Sequence, residues 1–351
     1  MPEVPQERPG ARSRLRGFAG RFLLVVTAFL ATLVAVELVL AAFFEPVHRL
    51  WQVEELFQLD DELIYSLRPD RQRRWESTDF VEHASTNGNG LRDDEIVSRT
   101  SVEKRIIVLG DSMIFGHGVD DDQTFPNQLE AIFREEGRRI DVINAGVKGY
   151  GTDNAYKFYT ARLEPLGLQP DLVIFAIYTN DLYDNIGQPL YTIENGSLVP
   201  LDPKRNWIYL LGSIEQKTPR FIRDRMLYGL VMSRFVGMDI YSVLPDLDQV
   251  ELVNWAARKA LLEIVDLARR GRSGGFELLV LCVPYRDGPP DFYDWLGAAR
   301  GRGIRVLDAS GESVWSDAKE RLFFPQDYHM TRAGNRRLAQ RVHDDLVGRG
   351  F

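Results

Sequence analysis

The chain predicts an α/β protein built on a parallel sheet covered on both faces, with one apolar segment ahead of it long enough to cross a membrane. Three observations carry this. Short, almost wholly apolar runs recur at Arg105–Leu109, Ile140–Asn144, Leu172–Ile177, Leu278–Val283 and Ile304–Leu307. Amphipathic stretches of helical period alternate with them, near Gln123–Phe133, Asn154–Leu163, Val250–Arg270 and Ala333–Val347. Strands that lack in-and-out alternation are buried on both faces, and strand–helix–strand repetition gives parallel neighbours. Finally, Phe22–Phe44 is interrupted only by Thr27, Thr32 and Glu37. At 1.5 Å per residue it is long enough for a hydrocarbon core of about 30 Å.

The N-terminal part sets the topology. Residues 1–21 are rich in Pro and Arg, with Arg8, Arg12, Arg14, Arg16 and Arg21 outnumbering Glu3 and Glu7. Such a basic segment is expected to stay cytoplasmic, so everything after residue 44 is expected outside, in a periplasmic or extracellular location. The span 22–44 is longer than a signal-peptide apolar region and is read as an uncleaved anchor. Glu37 either snorkels toward the nearer interface or meets a partner within the membrane, since a charge at the bilayer centre costs roughly 2.5–3.5 kcal/mol. Residues 45–103 are polar and punctuated by Pro and Gly, with no sustained helical period. They are expected to form a stalk of short extended pieces that packs on the domain following it.

The α/β domain is expected over residues 104–351, its alternation broken at about 182–249 by an insertion. There Tyr191–Val199 resembles a hairpin turned at Asn195-Gly196, and Phe221–Val236 reads as an amphipathic helix. Such an insertion would project over the carboxyl edge of the sheet. The 351 residues carry a formal net charge of -8. With no basic patch in the domain, nucleic acid is excluded as a partner. The single cysteine, Cys282, lies in the run FELLVLCVPY and is expected to be a buried strand residue. No cluster of His, Cys and carboxylates has metal-ligand spacing, and no cofactor is called for.

Four motifs begin where predicted strands end. Gly110-Asp111-Ser112 follows the first, Asn144-Ala145-Gly146-Val147-Lys148-Gly149-Tyr150-Gly151 the second, and Tyr178-Thr179-Asn180-Asp181 the third. Asp327-Tyr328-His329 follows the fifth by a longer loop and precedes the last helix. In a right-handed parallel sheet all four emerge on one edge, where α/β folds bind ligands. Taken alone, the first triplet is equally well read as a helix cap supplied by Asp111 or Ser112. Taken together, the four supply serine acyl transfer. A hydroxyl is a poor nucleophile until a base takes its proton, and His329 is the candidate base for Ser112. Asp327 could hold the imidazole tautomer through Nδ1. The Ser112 N–H, a backbone N–H of the glycine loop and the Asn180 amide could receive the developing oxyanion.

Ser112, Gly149, Asn180 and His329 stand in the order and context of the four motif blocks of the SGNH (GDSL-type) hydrolases, and from Lys104 to Phe351 the chain resembles that superfamily. The stretch Asn87–Glu95, NGNGLRDDE, is similar to the segment that precedes the GDS block in membrane-anchored bacterial members. The resemblance implies a three-layer α/β/α fold with a flavodoxin-like sheet, and an esterase, lipase, thioesterase, deacetylase or acetyltransferase activity. It also implies Ser112 as nucleophile, Gly149 and Asn180 with Ser112 in the oxyanion hole, and His329 as base. Two departures stand out. Thr179 occupies a position where the family usually has Gly, and Asp327 stands two residues before His329 where the family's aspartate usually stands three. That spacing leaves the Asp327 contact open, with Asp308 after the fifth strand as the substitute.

Other candidates read as structural. Gly271-Arg272-Ser273-Gly274-Gly275 matches G-x-S-x-G but follows a helix and precedes a strand, the reverse of a nucleophile elbow. Asp120-Asp121-Asp122 lacks the alternating ligands of a calcium loop and reads as a solvated turn. His117 is close enough to Ser112 to line its pocket, whereas His48, His83 and His343 read as surface or interface residues. The expectation is therefore a single-pass, extracytoplasmic SGNH-like serine esterase acting on an ester, with O-acyl groups of carbohydrate as the first substrate class. One alternative is an O-acyltransferase in which a sugar hydroxyl replaces water at the same Ser112 and His329. The other is a non-catalytic envelope assembly protein that keeps the fold.

Overall fold

The computed structural model describes residues 11–43, 56–223, 225, 228, 249–287, 291–311, 315 and 318–351. The chain divides into two compact units. One contains the helix α1 (Ala11–Phe43), whose segment Gly20–Val39 has a mean hydropathy of 2.6 and is not buried at all. That helix is long and apolar enough to cross a membrane. The other unit includes residues 56–213 and 249–351, and with them Ser112, Gly149, Asn180, Asp327 and His329.

The extension before the main sheet forms two hairpins. Strand β1 (Phe57–Asp60) pairs with β2 (Ile64–Leu67), and β3 (Arg71–Glu76) pairs with β4 (Val81–Thr86), both antiparallel. The main sheet follows, with five parallel strands: β5 (Lys104–Gly110), β6 (Ile140–Gly146), β7 (Leu172–Ile177), β10 (Glu277–Cys282) and β11 (Arg305–Asp308). They lie in the order β11-β10-β7-β5-β6. Counted within this sheet, that is the 2-1-3-4-5 order of the flavodoxin-like fold. The order reverses between β5 and β7, so the crevice outside their carboxyl ends is flanked by the loops carrying Ser112 and Asn180.

Both faces are covered, which is why these strands read as unbroken apolar runs. On one face Ile107, Leu109, Ile143, Val173 and Phe175 pack with α4 (Thr152–Phe158) and with Ile264 and Leu267 of α6 (Gln249–Gly274). On the other, Ile106, Val108, Val142, Ile174, Leu279 and Leu281 pack with α3 (Phe125–Glu135) and α7 (Arg332–Val347), through Leu129, Phe133, Leu338 and Val342. Each buried aliphatic or aromatic side chain of this kind stabilises the fold by about 1.5–3 kcal/mol. A one-residue register slip would exchange the two faces throughout. The helix expected at Asn154–Leu163 begins at Thr152 and gives way to a π-helical turn over Tyr159–Leu163.

The insertion contains the expected hairpin, β8 (Tyr191–Glu194) against β9 (Ser197–Pro200). Asn195 and Gly196 are both left-handed, at φ 49° and 76°. A two-residue turn of this hand matches the twist of its strands. The hairpin hangs on Asp153, whose Oδ2 accepts the N–H groups of Leu190 (2.8 Å) and Tyr191 (3.2 Å) and the Lys259 ammonium (2.7 Å). Both side chains of this ion pair are fully buried, so removing either would strand a charge in the core. The helix expected at Phe221–Val236 lies mostly outside the described residues, as does His48.

Candidate active site

Strand β5 stops at Gly110 and turns at once into the one-turn helix α2 (Ser112–Phe115). The turn is tight because α2 lies against the end of β6. A Cβ on Gly146 would stand 2.3 Å from the backbone nitrogen of Phe115. Asp111 caps α2, its Oδ1 accepting the Met113 N–H at 2.9 Å. The Ser112 hydroxyl lies 3.3 Å from Asp111 Oδ2, so the cap and the half-buried serine are neighbours in one turn. Arg92, fully buried, holds the far end of α2 by donating to the carbonyls of Phe115 (3.1 Å), Gly116 (2.7 Å) and Val119 (2.6 Å). Its Nε donates to Asp121 at 2.7 Å. The NGNGLRDDE stretch is thus a brace under Ser112. The acidic triplet is a solvated turn only in part: Asp122 is exposed, but Asp121 accepts from Arg92 and Ser85, and Asp120 accepts from His83.

The Ser112 Oγ lies 2.7 Å from His329 Nε2, and His329 Nδ1 lies 2.5 Å from Asp327 Oδ1. The network assigns the tautomer: Nδ1–H donates to the carboxylate, and Nε2 accepts from the serine hydroxyl. Asp308, the substitute, accepts instead from Ser310 N–H and Oγ on an exposed turn. The two-residue spacing is bridged by Tyr328, which adopts φ 67°. This left-handed residue folds the loop sharply enough for Asp327 to meet the ring two positions on. A non-glycine residue in that region costs roughly 1–3 kcal/mol and persists only where its surroundings hold it. Burial pushes the Asp327 carboxyl up, but the hydrogen bond from His329, with the nearby His329 and His117, outweighs it and keeps the group below the usual carboxylate range.

Gly149 has φ 75°, and a Cβ there would come within 2.7 Å of the Tyr65 hydroxyl. Tyr65 donates to the Lys148 carbonyl at 2.9 Å, and Gln188 Nε2 donates to the Gly149 carbonyl at 2.9 Å. With its two carbonyls pinned from outside, the glycine loop presents its N–H groups in a fixed direction. Neither the Ser112 N–H nor the Gly149 N–H has a backbone partner among the described residues. Asn180 stands where β7 passes into α5 (Asp181–Gly187), its Nδ2 donating to Asp184 Oδ2 at 2.7 Å. That bond orients the amide and uses one of its two N–H groups. Burial and the neighbouring Asp111 push the Asp184 carboxyl up to about 7.

Behind Asp327 sits His117, its ring centroid 4.8 Å from that of His329 and its Nε2 3.6 Å from Asp327 Oδ2. His117 Nδ1 meets Glu82 Oε2 at 2.7 Å. Burial pulls the His117 ring below the ordinary imidazole range against the bond to Glu82. Burial also raises Glu82, but His117, Lys148 and Arg92 together hold it well below the carboxylate range. Among the described residues, His117, Asp327 and His329 form a group whose ligand atoms lie within 4.8 Å of one another, near enough for a metal ion. An ion there would have to replace the bond between Asp327 and His329.

The sequence model of the GDSL-like lipase/acylhydrolase family matches residues 108–337, more than half of the chain and all of Ser112, Gly149, Asn180, Asp327 and His329. The chain belongs to this family. It is an ester-hydrolysing enzyme of the SGNH fold. Among solved structures, the lipase/acylhydrolase from Enterococcus faecalis is similar at 14% identity, over 70% of this chain and 96% of that one, with a TM-score of 0.37. The psychrotrophic esterase EstA from Pseudoalteromonas sp. is similar at 12% identity, over 70% of this chain and 98% of that one, with a TM-score of 0.42. No curated protein matches the chain.

Proposed function

We propose that the protein is a membrane-anchored serine esterase that removes O-acyl groups from carbohydrate outside the cytoplasm. The observation that carries the catalytic part is the continuous chain Asp327–His329–Ser112 at the carboxyl edge of the sheet. In this reading Ser112 Oγ attacks the ester carbonyl while His329 Nε2 takes its proton. Asp327 holds the tautomer and stabilises the imidazolium, which then protonates the departing alcohol. Water enters, His329 takes its proton in turn, and the acid is released. The oxyanion is received by the N–H groups of Ser112 and Gly149 and by the second N–H of Asn180. Asn180→Ala is expected to lower turnover by ~10²–10³, since it removes one donor and leaves the acylation chemistry intact. Steady-state kinetics on a chromogenic acetate ester check this, and a loss below about fivefold would remove Asn180 from the hole.

The location rests on the arginines that precede Phe22, where the apolar span within α1 begins. A reporter that is active only outside the cytoplasm, fused after Phe351, is expected to be active; activity of a cytoplasm-only reporter there would reverse the orientation. The carbohydrate assignment rests on that location and on the family. It is tested by release of labelled acetate from O-acetylated glycans, with and without a sugar acceptor. Free acetate as the product supports the esterase, whereas acetate passed to the acceptor makes the enzyme an acyltransferase using the same site.

A further inference from the structure

The hairpin β3–β4 lies ahead of the segment that the family matches, residues 108–337, yet it touches the loop that carries both Asp327 and His329. At its turn, Asp79 Oδ2 accepts the N–H groups of Gln326 (2.7 Å) and Asp327 (2.9 Å). The Thr78 hydroxyl donates to Gln326 Oε1 at 3.0 Å. Phe80 is buried between the loop and the histidine behind it, its ring 5.0 Å from both Phe324 and His117. Further along β4, Glu82 Oε2 accepts from His117 Nδ1 and, at 2.9 Å, from the Gly118 N–H. His117 in turn stands against the outer oxygen of Asp327.

The loop needs such support. It is closed by the Phe324 N–H on the His329 carbonyl and the Tyr328 N–H on the Phe324 carbonyl, and Arg286 holds the carbonyls of Phe324 and Pro325. None of these bonds reaches the backbone of Gln326 or Asp327, just ahead of the left-handed Tyr328. The Asp79 carboxylate reaches both. One oxygen that accepts two successive N–H groups fixes the plane of the intervening peptide, and with it the direction in which the Asp327 side chain leaves.

We propose that the β3–β4 hairpin is a positioning element of the active centre: Asp79 and Phe80 hold the Phe324–His329 loop in the shape that brings Asp327 to His329, and Glu82 fixes His117 behind them. The proposal rests on the reading of Ser112, His329 and Asp327 as one catalytic unit. It makes residues between the apolar helix and the segment that the family matches part of the enzyme's working parts, although they touch no reacting atom.

The test uses the full chain in detergent and a chromogenic acetate ester. Asp79→Ala is expected to lower kcat by ~10–100-fold with KM within about twofold, because displacement of a catalytic group by an ångström costs on that order. Asp79→Asn, which keeps an acceptor oxygen, is expected to restore most of the loss. Proton NMR gives a readout that a merely structural role would not move. The far-downfield resonance of the short Asp327–His329 hydrogen bond is expected in the wild type and absent from His329→Ala. It is expected to be weakened or shifted in Asp79→Ala at an unchanged circular-dichroism spectrum. Wild-type kcat and an unmoved resonance in Asp79→Ala would overturn the proposal, as would a loss that Asp79→Asn fails to restore. Should Asp79→Ala not fold, Glu82→Gln, which preserves shape, carries the same readouts, and wild-type values there would overturn it. Turnover that survives in His329→Ala would instead refute the catalytic reading beneath the proposal, so the two failures are distinguishable.

Discussion

Ser112→Ala and His329→Ala are each expected to lower turnover by roughly 10⁴–10⁶-fold, and the double variant is expected to be scarcely worse than either. The reason is the geometry. With Oγ 2.7 Å from Nε2, the nucleophile and its base act in one step, and neither does useful chemistry without the other. What survives in both single variants is the oxyanion hole and substrate binding, which they share. The losses are therefore expected not to add. Neither substitution disturbs the fold, since Asp111, not Ser112, caps α2 and the loop around His329 is closed by backbone hydrogen bonds. The measurement is kcat for the three variants on a chromogenic ester, with circular dichroism to confirm folding. Multiplying losses in the double variant would mean that Ser112 and His329 act in separate steps. More than about one per cent of turnover left in Ser112→Ala would point to a nucleophile elsewhere.

Much of this site is legible in the sequence, because it sits where sequence signals are strongest. Five buried runs marked the strands to within one residue at each end, except that β6 continues two residues further, to Gly146, and three of the four motifs stand at strand ends. The residues that escaped did so for identifiable reasons. The contact between Asp327 and His329 depends on Tyr328 adopting a left-handed backbone, which no propensity assigns to tyrosine. Spacing alone therefore left the contact open. Glu82 belongs to the short polar strand β4, Asp79 to the turn ahead of it and Tyr65 to the four-residue strand β2, all too short to show a sustained period. In β4 the inward positions are Glu82, Ala84 and Thr86. An alternation with a carboxylate on the inner face reads as solvent-facing from sequence, and only the partners His117, Lys148 and Arg92 reveal that it is buried. The order of the strands was implied by the resemblance to a flavodoxin-like sheet and not by the residues themselves, since it depends on which side each crossover takes. Arg92 was visible as part of a motif, but its function as a brace required seeing four carbonyls, those of His83, Phe115, Gly116 and Val119, converge on one guanidinium.

Asp327→Asn isolates the orienting carboxylate. In the wild type Asp327 Oδ1 accepts the His329 Nδ1 proton, which leaves Nε2 as the acceptor that Ser112 requires. An asparagine of the same shape can present its NH₂ group to Nδ1. The ring then adopts the opposite tautomer, with the proton on Nε2, and can no longer take one from the serine. Turnover is expected to fall by up to ~10⁴, with folding retained because the substitution is isosteric and the Asp327 N–H still reaches Asp79. The pH dependence gives a second check. Because the Asp327 carboxyl is held below its usual range, its bond to His329 is fully present above the ordinary carboxylate pKa. It is lost only as pH falls through the lowered value. The wild-type enzyme should therefore show no loss of activity from Asp327 protonation at mildly acidic pH. His117 cannot replace Asp327, because it reaches the same carboxylate from the far side and its own Nδ1 is committed to Glu82. A fall of less than about tenfold in Asp327→Asn would clear Asp327 of the orienting role, and with it the reason for the hairpin to hold that loop.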